Sequence, residues 1–293
     1  MPGRLGLSGE RVSLASVSTL VCFHAHPDDE CIGTAGILVQ AKADGHRTVL
    51  VVATRGERGE IVPGVLADGE QLWERRIAET FESARLLGVD RVEFLGYVDS
   101  GMMGEPENDA PYSFWSADVD QAARRLAAVL AEESADVLTV YDDHGLYGHP
   151  DHIQVHRVGV RAAELAGVPT VLQGTMNRDL VRQGMEERRA AEAAEAAGEA
   201  VANEGPTGPE PPEAPEDDEF GKPEAEITHA IDVGEQVELK RKAMQAHASQ
   251  IAEDSWFLQM SPEDFRRAFG TEWFIDGRRP RPEGGPFRTS VWD

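Results

Sequence analysis

Short, wholly apolar runs alternate over the first 175 positions with longer stretches in which apolar residues recur every three or four. A short unbroken apolar run suits a strand buried on both faces, and the 3.6-residue period suits an amphipathic helix. Strands are therefore expected at 19–23, 48–53, 92–95, 136–141 and 168–172, and helices at 37–43, 70–87, 119–133 and 150–166. The 119–133 stretch carries the period in Ala122, Leu126, Val129 and Leu130, and Pro150 takes a first-turn position where its missing N–H costs nothing. Strand following helix without a break predicts an α/β fold: a Rossmann-like, doubly wound, mostly parallel sheet with helices on both faces.

The pattern lapses at 186–226, an Ala/Glu-rich and then Pro/Glu-rich stretch with fourteen acidic and three basic residues. Such a segment buries too little apolar surface to offset its ordering entropy and reads as a mobile, disordered insertion. Apolar content returns with a strand expected at 227–233 and a helix at 235–251, so residues 19–293 form one domain, interrupted by the insertion and preceded by a frayed start at 1–18. The tail beyond Gly277 reads as loose.

Charge and composition exclude more than they select. A net charge of −25, with no clustered basic face, argues against nucleic acid and against anionic membrane. The two cysteines, Cys22 and Cys31, give no disulfide framework and read as buried thiols. No apolar stretch is long enough for a signal peptide or a membrane span, so a cytoplasmic location is expected, with oligomeric state left open.

Chemistry gathers at two expected strand ends. The run at 19–23 leads into His24-Ala25-His26-Pro27-Asp28-Asp29-Glu30, and the run at 136–141 into Asp142-Asp143-His144-Gly145-Leu146-Tyr147-Gly148-His149-Pro150-Asp151-His152. In open parallel sheets, ligands bind outside the carboxyl ends of the strands. Imidazoles and carboxylates crowded there call for a compensating cation. His26, one of Asp28 or Asp29, and one of His149 or His152 would supply the three ligands of a catalytic zinc, and iron would also suit them. The remaining carboxylate and histidine are then free for proton transfer and oxyanion stabilisation, which predicts a bell-shaped pH profile. Either cluster alone could be helix capping, since Asp-Asp before a helix suits its dipole; two clusters at matching strand ends point to a site. His156 reads as a core or supporting histidine, and His46, His144, His229 and His247 as structural or solvated.

His26-Pro27-Asp28-Asp29-Glu30 paired with Gly148-His149-Pro150-Asp151-His152 resembles the LmbE-like (PIG-L) superfamily of zinc-dependent N-acetylglucosaminyl deacetylases. The resemblance extends through residues 54–59, Arg76-Ile77-Ala78-Glu79 and Asp99-Ser100-Gly101-Met102, and resumes at 240–250. It implies that His26, Asp29 and His152 bind zinc, that Asp28 is the general base, that His149 is the imidazolium facing the oxyanion, and that Asp151 orients or charge-stabilises a site histidine. The local pattern is most similar to the mycothiol-pathway deacetylase and conjugate amidase, which implies that Arg76 and Asp99 meet sugar hydroxyls and that Tyr147 lies near the scissile carbonyl. Gly33-Thr34-Ala35-Gly36 follows the broader superfamily instead.

The expected activity is thus hydrolysis of an acetamido group on a small amino-sugar substrate, releasing acetate and a free amine. An amidase acting on mycothiol conjugates or on a glycosylated secondary metabolite is the alternative within the class. A non-catalytic, metal-stabilised binding protein is the alternative outside it, and the surplus of acid/base groups argues against that reading.

Overall fold

The computed structural model of the 293-residue chain describes residues 17–196, with 191–196 as backbone only, and residues 220–293. In chain order its elements are β1 (Thr19–His24), α1 (Asp29–Gly33), α2 (Ala35–Ala43), β2 (Arg47–Val52), α3 (Leu72–Leu87), β3 (Arg91–Phe94), α4 (Val119–Glu132), β4 (Val137–Tyr141), the single turn α5 (Gly145–Gly148), α6 (Pro150–Ala166), β5 (Thr170–Thr175), α7 (Arg178–Ala196), β6 (His229–Asp232), α8 (Val237–Ala246), the single turn α9 (Trp256–Gln259), α10 (Pro262–Phe269) and β7 (Thr271–Ile275). The described strands form one sheet in the order β3-β2-β1-β4-β5-β7-β6. The first five strands pair in parallel, in register from Thr19 opposite Arg47 to Tyr141 opposite Gly174. β7 runs antiparallel to β5 and β6. The direction of winding reverses between β1 and β4, and that opens a crevice at their carboxyl ends.

Strand alternation divides the core in two. Val21 and Phe23 of β1 face one side, joining Val49, Val51, Leu126, Leu130, Val155 and Val158. Leu20 and Cys22 face the other, among Ile37, Leu38, Leu172, Met244 and Phe274. Both faces of β1 are therefore dry, and both cysteines are buried free thiols. α6 lies close against β4 at Gly159, where an added Cβ would come 2.3 Å from Val140 Cγ1. That contact sets the helix carrying His152 at a fixed depth. No helix among the described residues is long and apolar enough to cross a membrane.

The structure departs from the sequence pattern in several places. β7 was not expected: it is five residues long, and its buried positions include a charge, Glu272, so it lacks an apolar signature. Residues 186–196, expected within the mobile insertion, belong to α7, because Ala, Glu and Arg are strong helix formers. The rest of that insertion to Glu219, and the expected frayed start up to Ser16, lie outside the described residues. β5 begins two residues late because the Val168 N–H still closes α6 on the Ala163 carbonyl and Pro169 has no N–H. α8 stops at Ala246 instead of running to 251, since His247 leaves the helical path with ψ 46°.

Candidate active site

The loop after β1 turns on Asp28, whose φ of 93° lies in the left-handed region. A non-glycine residue held there costs about 1–3 kcal/mol and persists only where its surroundings enforce it. Glu30 Oε2 accepts the Asp28 N–H at 3.0 Å. Arg76, buried on α3, donates from Nη2 to the Pro27 carbonyl at 2.5 Å and to Asp28 Oδ2 at 3.2 Å, and from Nη1 to the Gly56 carbonyl at 2.8 Å. Gly56 is required where the loop meets this guanidinium: its φ is 67°, and a Cβ would fall 2.1 Å from Arg76 Nη1. Burial pushes the Asp28 carboxyl up to about 6 even though the Arg76 charge opposes the shift.

Asp29 bridges the two clusters. Its Oδ2 accepts the His26 N–H at 2.8 Å and lies 3.6 Å from His26 Nδ1, while its Oδ1 lies 3.4 Å from His152 Nε2. Each ring-nitrogen separation, taken singly and on a different Asp29 oxygen, is close to the edge of about 3.3 Å expected between donors of a tetrahedral metal with bonds of about 2.0–2.1 Å. His152 is buried, and neither of its ring nitrogens has a hydrogen-bond partner. Burying two such atoms unpaired is costly, whereas a cation beside Nε2 would satisfy one of them. The local field points the same way. Burial alone would lower the His26 pKa, but the Asp99, Asp151 and Asp29 carboxylates hold it well above the usual imidazole range. Burial would raise Asp29, yet His152 and His26 hold it well below the carboxylate range. This cradle favours positive charge, and its donors fit a divalent metal.

His149 stands across from His26, with ring centroids 4.6 Å apart, and the ring nitrogens of His26, His149 and His152 lie within 4.8 Å of one another. His149 caps α6: its Nδ1 accepts the Asp151 N–H at 3.1 Å. Nδ1 therefore carries no proton, and Nε2 is left as the N–H end. Burial, together with the neighbouring His26 and His152, pushes His149 down to about 3. The resemblance implied an imidazolium here; in the metal-free site the surrounding field disfavours the extra proton. His152 makes no hydrogen bond at either ring nitrogen, whereas His149 is bonded at Nδ1.

Asp151 meets His149 through its N–H and His26 through its carboxylate: Oδ2 lies 3.2 Å from His26 Nε2, and the carboxylate is anchored by the Ser100 N–H at 2.9 Å and by the Ser100 hydroxyl. Asp99 Oδ1 is 3.6 Å from the same His26 nitrogen. Its carboxylate also accepts the Gly101 and Arg58 N–H groups at 2.9 and 3.2 Å. Asp99 and Arg76, the expected sugar contacts, are thus both buried and largely engaged with protein, although Arg76 Nε has no partner. Tyr147 is 46% exposed and stands edge-on to His152 with centroids 5.0 Å apart, at the mouth of the site. Leu146 beside it has a φ of 69°, so the Gly145–Gly148 turn is sharply folded.

Some neighbours of the motif take other parts. His24 points away into the core, bonded to the Tyr141 hydroxyl and Thr34 Oγ1 at 2.8 Å each, and burial lowers its pKa. His156 holds the Tyr141 carbonyl at 2.9 Å and is supporting, as expected. His247 is wholly buried and meets Glu30 Oε1 at 2.6 Å, a link across 217 positions that composition and spacing carried no sign of. Ser83 of α3 donates to the same oxygen at 2.5 Å.

The family model described as GlcNAc-PI de-N-acetylase (PIG-L) matches residues 21–163. A 1D-myo-inositol 2-acetamido-2-deoxy-alpha-D-glucopyranoside deacetylase from Thermomonospora curvata is 38% identical over 269 residues, covering 87% of this chain and 90% of the relative. Among solved structures, an N,N'-diacetylchitobiose deacetylase from Pyrococcus horikoshii superposes with a TM-score of 0.51 at 22% identity, over 85% of this chain and 73% of that one. A 4-carboxy-2-hydroxymuconate hydratase from Pseudomonas putida superposes with a TM-score of 0.52 at 17% identity, over 91% of this chain and 98% of that one. A deacetylase and a hydratase thus share this fold, so activity must be argued from the site residues.

Proposed function

The chain belongs to the PIG-L family of GlcNAc-PI de-N-acetylases, and we propose that it hydrolyses the acetamido group of a glucosamine-type glycoside, with an N-acetylglucosaminyl-inositol as the substrate class, to acetate and a free amine. The observation that carries this reading is the cradle of His26, Asp29 and a buried His152 whose ring nitrogens make no hydrogen bond, flanked by Asp28 and His149. We assign His26, Asp29 and His152 as ligands of zinc or ferrous iron. Bound there, the ion would polarise the amide carbonyl and lower the pKa of a water towards about 7.

The protein's own groups supply the rest. Asp28 takes a proton from the attacking water as the new C–O bond forms, and it returns a proton to the nitrogen as the C–N bond breaks. Its raised pKa suits both transfers near neutrality. His149 donates its Nε2–H to the oxygen that becomes anionic in the tetrahedral state, as an oxyanion hole does. Asp151 orients His26 through Nε2, leaving Nδ1 for the ligand position. Tyr147, half-exposed beside His152, is assigned to meet the scissile group. Arg76 and Asp99 are proposed to reach sugar hydroxyls only through capacity not already used by the backbone.

A substrate panel tests the reading: N-acetylglucosaminyl-inositol, free N-acetylglucosamine and a mycothiol conjugate, each with acetate and primary amine quantified. Fastest stoichiometric release of acetate and amine from the inositol glycoside is expected. Cleavage of the conjugate alone would shift the assignment to an amidase, and metal binding without turnover on any of the three would contradict catalysis.

A further inference from the structure

We infer that Glu30 is a positioning residue for Asp28, locked in place by His247 from the far end of the chain; the inference rests on the reading of Asp28 as the base. Asp28 occupies the N-cap of α1, where an aspartate ordinarily uses its carboxylate to accept the N–H groups of the first turn. Here its side chain makes no such bond, because the left-handed backbone turns it towards Arg76 and the site. The carboxylate that reaches back to the cap residue's own N–H is that of Glu30. Glu30 thus fixes the backbone of the cap residue, while the reactive carboxylate is left without a capping bond.

The cost of placing Glu30 there suggests that its role is specific. It is wholly buried, and a charge without solvent persists only when its oxygens are fully bonded. Oε2 holds the Asp28 N–H, and Oε1 accepts Ser83 Oγ and His247 Nε2. Ser83 comes from the same face of α3 as Arg76 and Glu79, and Glu79 in turn accepts both the N–H and the hydroxyl of Ser249 at 2.9 and 2.6 Å. The segment after α8 is thereby clamped to α3 on either side of Glu30. His247 lies outside the span matched by the family model, yet it completes the bonding of a residue two places from the base. A general base displaced by even a fraction of an ångström loses its line to the reacting water.

The test is steady-state kinetics on metal-loaded Glu30→Ala, Glu30→Gln, Asp28→Asn and the double variant Asp28→Asn/Glu30→Ala, with bound metal measured for each. Glu30→Ala should lower kcat at least about tenfold while KM and metal content stay within about twofold of wild type. Glu30→Gln should recover most of that loss, since its amide oxygen can still accept the Asp28 N–H and His247 can meet the amide by changing tautomer. In the Asp28→Asn background, Glu30→Ala should cost nothing further, because it acts through Asp28. Unchanged kcat in Glu30→Ala, an equal loss in both backgrounds, or a Glu30→Gln variant as impaired as the alanine would overturn the inference. Should Glu30→Ala not fold, His247→Ala takes its place: kcat should fall several-fold at constant KM, and wild-type kcat would refute the clamp. Wild-type turnover by Asp28→Asn would instead refute the reading of Asp28 as base.

Discussion

Asp28 joins a left-handed backbone to a carboxyl whose pKa is pushed up to about 6 by burial, against the pull of Arg76. The base must be ionised to act, so kcat should fall about tenfold per pH unit below that value and level off above it. In the metal-free site the field around His149 disfavours an imidazolium, and a ring that donates as a neutral N–H would contribute no alkaline limb, unlike the bell that an imidazolium would give. His149→Ala should lower kcat by about a hundredfold or more with the acid limb and bound metal unchanged. A pH–rate series on both proteins checks this, and an alkaline limb that vanishes in His149→Ala would restore the imidazolium. The motif residues were legible because they are crowded at strand ends where a core would not tolerate them. Their individual states were not. His24 and His26 share one motif but only His26 reaches the crevice, and the tautomer of His149 depends on an N–H that only the folded turn at Asp151 presents.

The elements of the parallel half of the sheet followed from periodicity, because strands buried on both faces and amphipathic helices leave strong patterns. β7 left none, since its buried positions include Glu272, and the reason for that charge is tertiary. Glu272 accepts the Gly36 and Ile37 N–H groups at the start of α2, at 2.8 and 3.0 Å, and pairs with buried Lys240 at 2.8 Å. It thus ties β7 and α8 to a helix more than two hundred positions earlier. Glu272→Ala would leave both the helix N–H groups and the Lys240 charge unpaired in the core, and should destabilise the fold by about 3–5 kcal/mol. Chemical denaturation with and without bound metal measures it; a loss under about 1 kcal/mol would show that water reaches Lys240. α3 shows the same limit of pattern reading: Arg76, Glu79 and Ser83 form a polar face that is buried, because it is the wall behind the base.

In the whole molecule, the two halves of the site meet because β1 and β4 are neighbours at the point where the sheet winding reverses, and the chain closes behind them through α8 and β7. The acidic segment is attached close by: the Gly221 N–H bonds the Leu146 carbonyl, and Lys222 pairs with Asp143. Replacing residues 197–219 by a short Gly/Ser linker, with these anchors kept, should leave kcat within about twofold. Extending the deletion through Lys222 should impair turnover by loosening the Tyr147 turn, and equal activity of the two deletions would contradict that. The central claim is that one ion in the His26–Asp29–His152 cradle and the Asp28 carboxylate together hydrolyse the amide. The most direct test titrates metal into chelator-treated protein while acetate release and bound metal are followed in parallel, for wild type, His152→Ala and Asp28→Asn. Wild-type activity should rise with metal and saturate at one equivalent, His152→Ala should bind metal far more weakly, and Asp28→Asn should bind one equivalent while releasing almost no acetate. Full turnover by the stripped wild type, or an Asp28→Asn protein that loses its metal while His152→Ala retains it, would contradict the account.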